Sequence, residues 1–309
     1  MTDMKRNIAL DITKGIAILL VIIGHCGTIP YMPYRHLIFT FHMPLFFLVS
    51  GYLYKQRTFK ESFSKDIVHL GTPYVATCIA IVLFYLLYWL KTGNSKPFSY
   101  YAIASLWGNG TKHTCRFLGD SPIIGAIWFL PALLVCKNTY NLLPSKNRLL
   151  FSSTIFVLAT VIGRYLVFIP FSVLSGLSAI VFYAIGDFLK RIKRIPIAYW
   201  IIGIICWVIS FKFSRINLVQ PRLDLYFVDV IGATTVSLLV YCVSKPISKI
   251  PIISPFLSWA GKSSLLILCF HLIDLDCGFA ARINYTGSIV ITVLLRVVLP
   301  LLGAICFRY

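Results

Sequence analysis

Two histidines stand where apolar helices have no use for them. His25 lies within a first apolar run that begins RNIALDITKGIAILLVIIGH, and His42 within a second, FTFHMPLFFLVSGYLY, that follows a short polar turn. Neutral imidazole accepts a hydroxyl proton near neutral pH, and a base so placed contributes about 10² to 10⁴ in rate. Acyl transfer to a hydroxyl is chemistry of that kind. At 100° per residue, Lys14 lies about 20° and Asp11 about 40° from the His25 direction, so three polar groups share one helix face. A charge at a bilayer centre costs about 2.5 to 3.5 kcal/mol on insertion scales, so this stripe should face protein or a water-filled cavity. A plainer reading of each histidine is a hydrogen bond to a backbone carbonyl that glues helices. For Asp11 and Lys14 it is a carboxylate favoured by a helix N-terminus and a lysine reaching for headgroups.

The elements that position these residues follow from composition. Hydrophobic residues make up 58% of 309, charged residues 13%, and the mean hydropathy is +0.83. That is an all-α polytopic membrane bundle. About ten spans are expected, at 8–29, 37–54, 70–90, 122–136, 149–168, 171–189, 196–213, 225–243, 252–273 and 287–307. The first is too long for a signal h-region and lacks a cleavage pattern, so it is expected to be retained. Placing both termini in the cytoplasm puts the larger share of the 29 Lys and Arg inside. His25 and His42 then share a level about 6 to 8 Å below the outer surface, with Lys14 and Asp11 about 16 Å nearer the cytoplasm. Pro44 should bend the second span and free carbonyls to line a cavity.

The net charge of +19 sits mostly in short loops. It therefore reads as membrane topology, with anionic lipids as partners and no nucleic acid. The exterior stretch from Lys91 to Ser121, with its Gly93, Asn94, Gly108, Asn109 and Gly110, suits a lid and is too short for a domain. A single domain over 1–309, with no appended soluble domain, is expected. Of nine cysteines, only Cys115 and Cys277 fall outside, and spacing alone neither pairs nor separates them. No spacing suits zinc, and no metal is expected. The P-loop, HExxH, GxSxG and GxGxxG signatures are absent. Asp229, inside the eighth span, reads equally as a functional or a packing group, and Asp187 as a boundary charge. His36, His69 and His113 fall at expected surfaces.

The run Arg6 to His25, with Asp11, Lys14, Gly15 and Gly24-His25, together with FHMPLFFLVSGYL from Phe41 to Leu53, resembles acyltransferase family 3, the integral-membrane O-acyltransferases. Weaker echoes are IWFLPALL from Ile127 and LSWAGKSSLLILCFH from Leu257 to His271. The resemblance implies about ten helices and transfer of an acyl group, usually acetyl, from cytoplasmic acetyl-CoA or another acyl-CoA. The implied acceptor is a carbohydrate, such as a surface or lipid-linked glycan. His25 maps onto the residue regarded as essential. Lys14 stands where the common motif has arginine, and lysine lacks the bidentate fork. No arginine precedes the third span, where the chain reads Lys65-Asp66-Ile67-Val68-His69-Leu70.

On this reading His25, His42 and Asp11 are the catalytic candidates. Lys14, Lys55, Arg57 and Lys60 would meet the donor's phosphates, and Trp128, His271 and Ser50 would contact substrate. A bacterial inner membrane is the expected location, and a homo-oligomer is left open. A transporter of a glycan-like solute would also use intramembrane polar groups, although no two-half repeat is present. A non-catalytic partner in glycan assembly is the third reading.

Overall fold

A computed structural model describes residues 7–26, 33–111, 113–115, 119–165, 169–284 and 288–307. In chain order the helices begin with α1 (Ile8–His25), α2 (Pro33–Phe39), α3 (His42–Tyr52), α4 (Phe59–Asp66) and α5 (Thr72–Thr92). Next come α6 (Lys96–Trp107), α7 (Phe129–Leu142), α8 (Arg148–Tyr165), α9 (Val173–Leu189) and α10 (Ile197–Phe213). The last are α11 (Phe227–Ile247), α12 (Ile253–Lys262), α13 (Ser264–Cys277), α14 (Phe279–Ile283) and α15 (Ile289–Cys306). Between α6 and α7 a two-stranded antiparallel ribbon, β1 (His113–Cys115) and β2 (Gly119–Ser121), sets Thr114 opposite Asp120.

The enclosed helix is α1. Asn7 caps it by accepting from the Leu10 N–H at 3.3 Å, which satisfies one of the donors a helix start leaves open. Around it stand α3, α11, α12, α13 and α15, with α12 the most intimate neighbour. Small residues permit that contact, as they do between helices in lipid. A Cβ added to Gly261 would come within 1.7 Å of the Asp11 carbonyl oxygen, and one on Gly15 within 2.1 Å of that of Leu257. The face of α1 that carries Asp11 is thus locked to the α12 backbone.

Each of the ten stretches expected to be apolar helix contains helix, and four depart from a simple span, 122–136 because its α-helix begins only at Phe129. The stretch 37–54 is broken at Thr40–Phe41, so His42 begins α3 and does not lie inside a continuous helix. Pro44 explains the break. It has no N–H to offer the Thr40 carbonyl and its ring would crowd that group, whereas in a first turn the missing N–H costs nothing. The expected bend at Pro44 is therefore a break before it. The stretch 70–90 begins earlier, because α4 passes through a π-turn, Ile67–Gly71, into α5 and gives one run Phe59–Thr92. Pro73 again removes an in-register donor just beyond that turn. The stretch 252–273 is two helices, α12 and α13, which meet at 75°.

Among the described residues, α1, the Phe59–Thr92 run and α11 are individually long and apolar enough to cross a membrane, and the bent α12–α13 pair qualifies together. Large apolar side chains point outward from α5 (Leu83, Leu87), α10 (Ile201, Ile205) and α15 (Val290, Leu294), as lipid-facing helices require. Residues 27–29, 166–168 and 287 of the expected spans lie outside the described residues, as do Arg6 and the side chains of His113 and Cys115. Cys277 is a buried free thiol. The Cys115–Cys277 pairing left open by spacing is therefore not made.

Candidate active site

One cavity of about 470 Å³ is lined by Lys14, His25, His42, Ser50 and Trp128 together. Leu10 and Thr13 of α1 share a second wall with Val49 and Tyr52 of α3, so the two helices run antiparallel. Lys14 and Ser50 consequently mark one end of the cavity, and His25 and His42 the other. Eleven residues at 1.5 Å rise separate Lys14 from His25 along α1 by about 16 Å.

The hydrogen bonds fix the tautomers. His25 Nδ1 lies 2.8 Å from the Val21 carbonyl oxygen, and His42 Nδ1 lies 2.9 Å from that of Ile38. A carbonyl only accepts, so each Nδ1 donates, and in the neutral ring Nε2 keeps its lone pair. The gluing bond foreseen as the plainer reading is present, yet it occupies the wrong nitrogen to exclude chemistry. Phe39 from α2 stands between the imidazoles, its ring centroid 5.6 Å from that of His25 and 5.0 Å from that of His42. The break at Thr40–Phe41 is what turns this ring and His42 toward α1.

Behind His25 the environment is polar and buried. His271 sets its ring edge-on at 5.7 Å, is fully buried, and has no hydrogen-bond partner on either ring nitrogen among the described residues. It abuts His25 from α13 and is not part of the cavity lining. From α15, Arg296 donates through Nη1 to the His25 carbonyl oxygen at 3.2 Å. That carbonyl belongs to the open C-terminal turn of α1, where a cation is favourable. Sequence reasoning gave Arg296 no role, although a single arginine in an apolar helix was the signal available.

At the other end, Asp11 pairs with Lys14 at 3.0 Å. Its carboxylate is buried and takes no part in the lining, whereas the ammonium it holds does. Lys55, Arg57 and Lys60 are exposed and lie outside the cavity, in the segment that leaves α3 and in α4. That segment is fixed by Asn141, whose side chain donates to the Arg57 carbonyl at 3.0 Å and accepts from the Tyr54 hydroxyl at 2.9 Å. The stretch that lacks a family arginine contains Asp66, which takes an ion pair from Lys137 and a 3.2 Å hydrogen bond from Asn138.

Loops at the histidine end complete the walls. Trp128 enters from a 3₁₀ turn, Gly125–Trp128, and Thr111 from the 91–121 stretch read as a lid. Arg215, Asn217 and Val219 come from the α10–α11 loop. Sequence reasoning missed that loop. Asp229 builds it by accepting from Ser210 at 2.7 Å, Ser214 at 2.6 Å and the Leu225 N–H at 2.9 Å. Its role is packing. Asp187, accepting from Tyr140 and Lys190 at 2.8 Å each, closes a boundary network.

Nodulation protein NolL of Mesorhizobium japonicum is 30% identical over 157 residues, and that of Sinorhizobium fredii 28% over 158. Each match takes in 47% of this chain and 38% of the relative, so the chain matches well under half the length of these curated proteins. No solved structure matches. The model of the acyltransferase domain matches residues 7–307, nearly end to end, and with it the chain belongs to acyltransferase family 3, a family of membrane-integral acyltransferases.

Proposed function

We propose that this protein moves an acetyl group from cytoplasmic acetyl-CoA to a sugar hydroxyl of a surface or lipid-linked glycan, in the inner membrane of a bacterium. The observation that carries the reading is the geometry of His25. Its Nδ1 is committed to Val21, which leaves Nε2 the unoccupied nitrogen of a ring that lines the same cavity as Lys14, the partner of Asp11.

Donor phosphates would meet Lys14 at the inner end, with Lys55, Arg57 and Lys60 around the entrance, since compact ammonium charges suit phosphate. Asp11 positions Lys14. The pantetheine arm lies along the cavity and brings the thioester to His25. There Nε2 takes the proton of the acceptor hydroxyl while its oxygen attacks the thioester carbonyl. Collapse of the tetrahedral intermediate breaks the carbon–sulfur bond, and the imidazolium returns the proton to the departing thiolate. In the covalent variant Nε2 takes the acyl group first and then passes it to the acceptor. His42 offers a second Nε2 to orient the hydroxyl. Trp128 presents a ring face to the sugar, Ser50 a hydroxyl to the donor arm, and His271 backs the His25 ring.

Comparing the surface glycan of a deletion strain with its parent by mass spectrometry tests this directly. Loss of an acetyl mass supports the reading, and loss of a succinyl mass keeps the chemistry but changes the donor. An unaltered glycan contradicts it.

A further inference from the structure

A second cavity, of about 330 Å³, lies across the α1–α3 contact from the first. Leu45, Leu48 and Val49 of α3, Leu189 of α9 and Leu238 of α11 form its walls, and Lys193 and Lys245 stand with Trp200 and Tyr241 at its edge. Tyr52 and Tyr241 bring phenol groups to the lining, and its two aliphatic hydroxyls are already engaged. Thr13 donates to the Ala9 carbonyl at 2.7 Å, and Ser237 to that of Ala233 at 2.7 Å. A polar ligand would lose water against the Leu45, Leu48, Val49 and Leu238 walls and gain few partners there, which is costly. An alkyl chain loses nothing by entering.

The edge is the opposite. Among the described residues no carboxylate lines this cavity, and the adjacent Asp187 is held by Lys190 and Tyr140. Lys245 lies 4.9 Å over the Tyr241 ring, and Lys193 is exposed. Tryptophan and tyrosine beside two lysines is the chemistry of the headgroup level, and each lysine near an anionic surface attracts it. From a slot walled by aliphatic side chains under a two-lysine rim, we infer a binding site for one anionic phospholipid, with an acyl chain between α3, α9 and α11 and its phosphate between Lys193 and Lys245. The site touches α1 and α3, the helices that carry His25 and His42. It rests on none of the acyl-transfer chemistry.

Native mass spectrometry of the purified full chain tests it, with dioleoylphosphatidylglycerol and dioleoylphosphatidylcholine as probes. Retention of phosphatidylglycerol should exceed that of phosphatidylcholine by on the order of tenfold. Lys193→Glu with Lys245→Glu should abolish the preference, as should the milder Lys193→Gln with Lys245→Gln. Leu238→Trp, which fills the slot, should lower retention of both lipids. Coenzyme A and inorganic phosphate serve as competitors for the rim. Equal retention of the two lipids, a preference that survives the paired substitutions, or displacement of phosphatidylglycerol by coenzyme A or phosphate would each overturn the assignment.

Discussion

His25 depends on two backbone contacts that differ in how visible they are in the chain. The bond to Val21 is local, four residues back along one helix. The bond from Arg296 crosses 271 positions. Such a pairing has no trace in spacing, and only the oddity of an arginine among apolar residues hints at it. Arg296→Leu should lower kcat with little change in KM, because it frees the turn that aims the ring without touching substrate. A hydrogen bond from a charged donor contributes about 1.5–3 kcal/mol, so kcat should fall by about tenfold to a hundredfold. Steady-state kinetics check this, and a rise in KM alone would assign Arg296 to binding. The shared face of Asp11, Lys14 and His25 was legible from 3.6-residue periodicity. The burial of Asp11 away from the cavity was not, since periodicity gives a direction and not the neighbour that occupies it.

At the scale of elements, the helical stretches were legible because long apolar runs leave few alternatives in lipid. Breaks were harder. Pro44 was seen, but whether a proline bends a helix or begins a new one depends on tertiary contacts, here those that seat Phe39 and His42 against α1. The α1–α12 crossing depends on Gly15 and Gly261. Gly261→Ala would drive a methyl group into the Asp11 carbonyl, and overpacking of this kind costs about 1–3 kcal/mol. A lower melting temperature in detergent and less folded protein by size exclusion are expected.

The α10–α11 loop carries its own pH signature. Burial pushes the Asp224 carboxyl up, but the hydrogen bonds from Arg222 and the Arg215 N–H, with the charges of Arg222 and Arg164, outweigh it and hold the group below its ordinary value. A carboxyl lowered on folding stabilises above its unfolded pKa and loses that contribution as pH falls through the folded one. Hydrogen exchange over 214–226 should therefore be unchanged from pH 7 to 5, after correction for intrinsic rates. Protection should weaken below about pH 4, and Asp224→Asn should remove the dependence.

For the whole molecule, composition established the membrane class and motif resemblance the family, and the match over residues 7–307 agrees with both. The cavity was only half legible. Its α1 and α3 walls follow from antiparallel helices joined by a short turn, while the loops that add Thr111, Trp128 and Arg215 fold by contacts far apart in sequence. The proposed topology, with both termini in the cytoplasm, predicts that in a variant freed of native cysteines a membrane-impermeant maleimide labels a cysteine placed at Lys96 in intact cells and spares one at Lys60; the reverse pattern would contradict it.

The central claim is that the free nitrogen of His25 performs the transfer inside the shared cavity. Purified wild-type protein and His25→Ala, supplied with radiolabelled acetyl-CoA and the glycan acceptor, test it at matched membrane abundance. Transfer of label should fall by at least about 10²-fold in the variant, and transfer at the wild-type rate by His25→Ala would contradict the account.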